Sequence, residues 1–243
     1  MDHVLLIIPV YNGERYLKKT FSQLEQLQHN RSKKLKIVFV NDGSNDATAA
    51  LLQNYTGPLQ DSFSVIILEK NHGKGYAIRE AIREFGSGSE IICFTDVDIP
   101  YGIPSLEQVI NNCVQTDIVV GSRIMDDEHK QYSGYRYIAN RIFRLFIPKQ
   151  IREIRDTQCG LKAFKSSVAE DVFNSLQTFR WTFDLEIFVI AQLRGYTIEE
   201  VPVMISASSI EKRGGVSFVK DGWRIFKDMW RIRRNIRCHR YEK

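Results

Sequence analysis

The sequence predicts an α/β fold: a mostly parallel sheet flanked by helices, followed by an amphipathic helix at the C-terminal end. Three observations predict it. Apolar runs of strand length alternate with helical patterns through the first half of the chain. Those runs are almost continuously apolar, as strands buried on both faces are. Each ends in a short cluster of small, polar or charged residues, which places the clusters on one rim of such a sheet.

The elements follow in order. "HVLLIIPV" is the first strand, and a helix from Glu14 to about Gln28 presents Tyr16, Leu17, Phe21, Leu24 and Leu27 on one face. "KLKIVFV" is the second strand and ends at "NDGS", where Ser44 or Asn45 is placed to cap a helix running to about Asn54. "SVIILE" is the third; "NHGKG" and a helix through about Phe85 follow it. "EIICFTD" and "TDIVVGSR" are the fourth and fifth. Past Arg123 come a polar loop, "MDDEHKQYSG", and a helix of about Tyr135 to Ile147 with alternating aromatic and basic residues. The segment "DTQCGLKAFK", a helix from about Asp184 to Leu193, a strand in "YTIEEVPVMI" and the basic terminal helix complete the chain. No linker interrupts it, so residues 1–215 read as one domain and 216–243 as its helical tail.

Composition narrows the class. A chain of 243 residues, 43% hydrophobic and 26% charged, is long enough to bury a substantial core, and it has no repeat or low-complexity tract. Its four cysteines are widely spaced, which excludes a zinc or disulfide framework and suits reduced thiols of a cytoplasmic protein. "HVLLIIPV" is too short for a secretory signal, and no apolar run approaches the ~18 residues of a membrane span. The net charge of +5 gathers in the tail, where Arg224, Lys227, Arg231, Arg233, Arg234, Arg237, Arg240 and Lys243 face only Asp228 and Glu242. No nucleic-acid partner is expected.

The rim carries the chemistry. Asp96 and Asp98 end a buried strand in like charges that repel unless a cation or proton joins them. Two hard oxygen donors at that spacing suit Mg²⁺ or Mn²⁺, an ion that shares its coordination with substrate phosphates and water and can neutralise a departing diphosphate. A solvated strand end is the simpler alternative, but it must treat five converging polar strand ends as coincidence. Asp42 of "NDGS" can accept hydrogen bonds from a nucleobase or ribose, or close an Asx turn. "NHGKG" sets two glycines beside Lys74 at a helix N-terminus, where an anion can approach the backbone.

"IPVYN", "NDGS", "NHGKG", "TDVD", "GSR" and "DTQCGLKAF", in this order over roughly residues 4 to 205, resemble the family 2 inverting glycosyltransferases of GT-A fold. The likeness is to the polyprenyl-phosphate branch, and "DTQCGLK" looks more like its glucosyl than its mannosyl members. The resemblance implies transfer of a hexose, glucose first, from a nucleotide diphosphate sugar such as UDP-glucose to a polyprenyl phosphate. It implies that Pro9, Tyr11, Asn12, Glu14, Asp42 and Lys74 bind the nucleotide sugar, and that Asp96 and Asp98 hold Mg²⁺ or Mn²⁺ with the diphosphate. It implies that Arg123 and Arg136 hold the acceptor phosphate, and that Asp156, across the sugar, serves as base or electrostatic partner. A phosphomonoester is already mostly ionised near pH 7, so orientation matters more to it than deprotonation. Two departures stand out: "YNGE" replaces the family's "YNE", and Pro100 stands where mannosyl relatives often carry a metal-ligating Gln.

At about 100° per residue, the tail places Arg224, Lys227, Arg231 and Arg234 on one side. Trp223, Ile225, Phe226, Met229, Trp230, Ile232 and Ile236 form a broad opposite arc. Such a helix either lies in the plane of a membrane surface, at its cytoplasmic face, or packs on the domain or on a second copy of the chain. "QTFRW" matches the Q-x-x-R-W signature of processive synthases, which need a membrane channel that this sequence does not encode. The remaining rivals are a family 2 enzyme with a soluble acceptor, a D-x-D phosphatase and a non-catalytic nucleotide-sugar binder. The phosphatase motif belongs on a first strand, whereas "DVD" follows the fourth.

Overall fold

The computed structural model describes residues 3–30, 35–123, 148–205 and 218–242. Its sheet has the order β3-β2-β1-β4-β6-β5-β7. The strands are β1 Val4–Val10, β2 Leu35–Asp42, β3 Phe63–Leu68, β4 Ile91–Phe94, β5 Ile118–Ser122, β6 Lys162–Lys165 and β7 Ile198–Pro202. The helices are α1 Glu14–Asn30, α2 Thr48–Gln53, α3 Lys74–Phe85, α4 Gly102–Asn112, α5 Ser166–Asn174, α6 Phe183–Leu193 and α7 Phe218–Arg237.

The first four strands pair in parallel, as their apolar runs predict. The sheet is mostly parallel, as expected, and its antiparallel member is β6, which enters between β4 and β5. β6 comes from the "LKAFK" segment, and four residues are too few to show a period. Chain order reverses beside β1, with β2 and β3 on one side and β4 on the other. Ligands bind such sheets at this switch point, beyond the carboxyl ends of the strands. The register sets Val10 opposite Asn41 and Ile7 opposite Phe94, so "PVYN", "NDGS" and "TDVD" share that rim.

Helix α1 packs the face its sequence predicts. Leu17, Leu24 and Leu27 are buried, and Phe21 meets Phe39 and Tyr55 at ring-centroid distances of 5.6 and 4.4 Å. Ser44 and Asn45 do not cap α2, which begins only at Thr48. Ser44 instead accepts from the backbone of Asn12, and Asp46 accepts from the Thr48 amide at 3.0 Å. Helix α6 is buried continuously from Phe183 to Ala191, the carboxylates Asp184 and Glu186 included. A helix apolar around its circumference is a core helix, so its carboxylates require partners within the protein.

Helix α7 divides the broad apolar arc expected of it. Met229 and Ile232 are buried, and Ile225 and Ile236 pack half-buried against the same core. Trp223, Phe226 and Trp230 lie exposed on another side. All four cysteines are free thiols, three of them buried.

Candidate active site

At the rim, the loops after β1 and β2 are stapled together. The Asn12 amide donates to Ser44 Oγ at 2.9 Å, and the Asn45 amide donates back to Asn12 Oδ1 at 2.9 Å. The Gly13 amide donates to Thr48 Oγ1 at 2.9 Å, and Glu14 Oε2 accepts from the Ala47 amide at 2.8 Å. Asn12 takes a left-handed backbone, φ 50°, which Asn tolerates better than most residues. Asn12 and Glu14, expected to touch the nucleotide, are thus engaged in shaping its loop. The extra glycine of "YNGE" faces Val10, whose Cγ1 would stand 2.5 Å from an added Cβ.

Asp42 is buried, and both its oxygens accept backbone amides of the loop before α3: His72 at 2.7 Å and Gly73 at 2.8 Å. Gly73 needs its hydrogen side chain twice. Its φ is 105°, and a Cβ would lie 2.5 Å from the Phe179 carbonyl. The Gly75 amide donates to that carbonyl at 2.9 Å, which fastens the 177–182 segment over the start of α3. Between these loops lies a cleft of about 400 Å³ lined by Pro9, Val10, Tyr11, Asp42, Asn71, Gly73, Lys74, Arg180, Trp181, Phe183 and Asp184. Pro9, Tyr11, Asp42 and Lys74, expected from the sequence, meet there. Tyr11 is 48% exposed, a ring available for stacking.

From Lys74 and Asp184, which line the cleft, a chain of alternating charges runs on to Asp96 and into the core. Lys74 Nζ lies 2.6 Å from Asp96 Oδ1, and Lys162 Nζ lies 2.6 Å from Asp184 Oδ1 and from the Cys159 carbonyl oxygen. Burial works to lower the pKa of Lys74, but the Asp96 and Asp184 carboxylates outweigh it and hold the ammonium above its ordinary value. Burial raises the pKa of Asp184, opposed by Lys162 and Lys74. Lys162 is completely buried, with its ammonium over the rings of Phe94 and Phe188 at 5.6 and 5.4 Å.

Asp96 and Asp98 sit half-buried in the turn after β4. That turn is strained: Ile99, buried and β-branched, adopts φ 41°. A conformation of this kind costs on the order of 1–3 kcal/mol and concentrates at functional sites. A Cβ on Gly160 would stand 2.1 Å from Asp96 Oδ2, so the carboxylate rests in a space that only glycine leaves open. Two partly exposed carboxylates with hard oxygen donors fit a divalent cation of the kind that also takes phosphate and water ligands. Among the described residues, no cluster of three or more His, Cys, Asp or Glu side chains is placed to hold an ion alone. Pro100 has no ligating side chain.

Arg123 and Asp156 form a bidentate pair: Nε to Oδ2 at 2.6 Å and Nη2 to Oδ1 at 2.7 Å, with the Arg123 amide adding a third bond to Oδ2 at 3.0 Å. Burial alone would raise the pKa of Asp156, but the Arg123 guanidinium and amide bring it below the ordinary carboxylate range. A carboxylate held so firmly ionised is a weak proton acceptor, so its geometry favours the electrostatic over the basic role. Glu200 of β7 accepts the amides of Arg155 and Asp156 at 3.1 Å and so fixes the loop. Near the pair in sequence, Ser122 Oγ and Gln158 Nε2 are buried with no hydrogen-bond partner among the described residues. Arg136 lies outside the described residues, as does the expected helix around it.

Sequence reasoning assigned no role to Arg180, Trp181, Asp184, Lys162 or Asn71. Arg180 donates to Asn71 Oδ1 at 2.8 Å and to the Asn71 carbonyl at 3.0 Å, bridging two walls of the cleft. The available signal was "FDLE", two carboxylates opening an otherwise apolar helix.

The family model described as "Glycosyl transferase family 2" matches residues 5–173. The chain is 30% identical over 233 residues to a dolichyl-phosphate beta-glucosyltransferase, ALG5A, of Trichomonas vaginalis, covering 90% of this chain and 71% of that one. It is 32% identical over 214 residues to the dolichyl-phosphate beta-glucosyltransferase of Homo sapiens, covering 82% of this chain and 65% of the human one. Among solved structures, glucosyl-3-phosphoglycerate synthase from Mycobacterium tuberculosis in complex with UDP superposes with a TM-score of 0.64 at 12% identity, over 90% of this chain and 75% of that one. The mannosyltransferase PcManGT from Pyrobaculum calidifontis, in complex with GDP-Man and Mn²⁺, gives 0.58 at 18% identity, over 87% and 58%. At these identities the structural likeness concerns the fold.

Proposed function

The chain belongs to glycosyl transferase family 2, and from that premise we propose that it moves glucose from UDP-glucose to a polyprenyl phosphate, with inversion at the sugar's anomeric carbon. The observation that carries this reading is the cleft at the switch point, lined by the exposed Tyr11 and by Lys74, which pairs with the first carboxylate of "DVD". The dolichyl-phosphate beta-glucosyltransferase relatives support the choice of sugar and acceptor.

In the proposed reaction, an acceptor phosphate oxygen attacks the anomeric carbon and forms the new C–O bond. The bond from that carbon to the β-phosphate oxygen breaks, and its electron pair leaves with UDP. The attacking phosphate is already ionised, so no side chain has to remove its proton. Tyr11 and the Asp42-clamped loop receive the nucleoside. Lys74 stands where negative charge grows on the leaving diphosphate, and such a fixed cation stabilises the transition state more than the ground state. Asp96 and Asp98 would hold Mg²⁺ or Mn²⁺ with diphosphate oxygens, and the ion would supply Lewis-acid stabilisation of the leaving group. Arg123, oriented by Asp156, would position the acceptor phosphate.

Among the described residues, no helix is long and apolar enough to cross a membrane. A lipid acceptor requires access to a membrane surface; the cytoplasmic face is proposed, consistent with free buried thiols. Residues 1–215 would be the catalytic domain and 216–243 its helical appendage.

The deciding experiment supplies labelled UDP-glucose, a short-chain polyprenyl phosphate and Mg²⁺ or Mn²⁺, followed by organic extraction. Label entering the organic phase, and absent with Asp98→Ala or chelator, is the expected result. Metal-dependent UDP release with label confined to the aqueous phase would overturn the lipid acceptor and leave a soluble one.

A further inference from the structure

Helix α7 carries three exposed aromatic side chains: Trp223 is 78%, Phe226 50% and Trp230 59% accessible. At about 100° per residue they fall within about 60° of one another around the helix axis. The same geometry sets Arg234, Lys227 and Arg224 along one margin of this stripe and Arg233 along the other, with Arg237 in line with the stripe beyond Trp230. Trp223 and Phe226 stack at 6.0 Å, and the Arg234 guanidinium lies 5.8 Å from the Trp230 ring centroid. The three rings remain exposed, whereas Met229 and Ile232 on another side of the helix are buried.

The opposite face is fastened to the catalytic domain. Asp228 accepts from Thr182 Oγ1 at 2.9 Å, and Arg231 donates to the Gln177 carbonyl at 3.1 Å. Just beyond α7, buried Tyr241 donates to Glu186 Oε1, and Asn235 donates to the Tyr241 hydroxyl at 3.0 Å. Glu186 also accepts the Thr178 amide at 2.7 Å and its hydroxyl at 2.6 Å. These bonds converge on residues 177–182, the segment whose Arg180 and Trp181 line the cleft.

We infer that the outer face of α7 is an in-plane docking surface for an anionic lipid bilayer, with Trp223, Phe226 and Trp230 entering the headgroup region. Trp and Phe between two cationic margins match the depth profile of such a surface: apolar rings at the acyl boundary, cations among the phosphates. Helix α7 then holds the cleft-lining segment against the domain while its other side rests on the membrane. Because the inference depends on the helix alone, it stands apart from the identity of the acceptor.

The test is co-sedimentation of the full chain with vesicles of equimolar phosphatidylglycerol and phosphatidylcholine, or of phosphatidylcholine alone, neither containing polyprenyl phosphate. Binding is expected on the anionic vesicles, weakening as NaCl is raised. The triple variant Trp223→Ser/Phe226→Ser/Trp230→Ser should bind at least about tenfold more weakly with an unchanged thermal melt, since the three side chains are exposed. The pair Lys227→Glu/Arg234→Glu should lose the preference for anionic lipid while retaining the aromatics. Failure of the wild type to bind anionic vesicles, or equal binding by the triple variant, would overturn the inference. So would a concentration-dependent dimer in size-exclusion chromatography that the triple variant abolishes, because the stripe would then be a contact between copies of this chain.

Discussion

Replacing Lys162 with Met tests the charge chain at its most buried point. The wild-type ammonium is inaccessible to solvent and lies 2.6 Å from Asp184 Oδ1. Methionine keeps most of the stem and its packing between Phe94 and Phe188 but removes the charge. Asp184 is then left in the interior with the more distant Lys74 as its cation, and the Cys159 carbonyl loses a donor. Breaking a buried pair from one side costs about 3–5 kcal/mol. For a chain of this length, that corresponds to a melting temperature lower by about 6–20 °C. The pH dependence has a definite sign. Burial already raises the folded-state pKa of Asp184, and removing Lys162 raises it further. The variant's deficit should therefore shrink as pH falls toward about 4, where the unfolded chain also begins to protonate, and be fully present above the folded-state value. Thermal and urea unfolding at several pH values measure this, with Lys162→Met/Asp184→Leu completing a double-mutant cycle. The double variant should recover most of the loss, because replacing both charges by apolar groups is often neutral. A Lys162→Met melt within about 3 °C of wild type, less than about 1 kcal/mol, would refute the account of a desolvated pair.

Three further outcomes follow from the geometry. Gly160→Ala places a methyl 2.1 Å from Asp96 Oδ2, so the carboxylate must rotate; transfer should fall at least about tenfold with a melt near wild type, read by initial rates beside calorimetry. Tyr241→Phe removes one donor from buried Glu186 and should cost about 1–3 kcal/mol in urea unfolding, with faster proteolysis at the C-terminal end. Asp156→Asn should destabilise the protein at pH 7, and the gap to wild type should close below about pH 4. A depressed folded-state pKa contributes stability above the unfolded value and loses it as pH falls through the folded one.

Some of this was legible in the chain because its causes are local. Continuous apolar runs marked β1 to β5, and the abrupt polar ends placed Pro9, Tyr11, Asp42 and Lys74 on one rim, where the structure brings them around one cleft. Asn12 and Glu14 were located correctly on that rim, but the direction of their bonds was not visible. The loop they hold begins over 30 residues later, and nothing in "YNGE" announces it. Lys162 fell in "DTQCGLKAFK", a segment with no element assigned to it, and Asp184 read as a helix-opening acid; only the antiparallel insertion of β6 brings them together. The pairing of Arg123 with Asp156 spans 33 residues in the same way.

The sequence by itself determined the layered α/β architecture, the rim that carries the chemistry and the basic amphipathic character of the last helix. Each follows from the period and polarity of neighbouring residues, which act over one or two turns of chain. The tertiary structure decided which partner each buried charge takes, and which stripe of α7 is covered and which is left in water. Those outcomes depend on closing long loops, and the free energy that selects among them comes from desolvating groups that meet only once the sheet has formed.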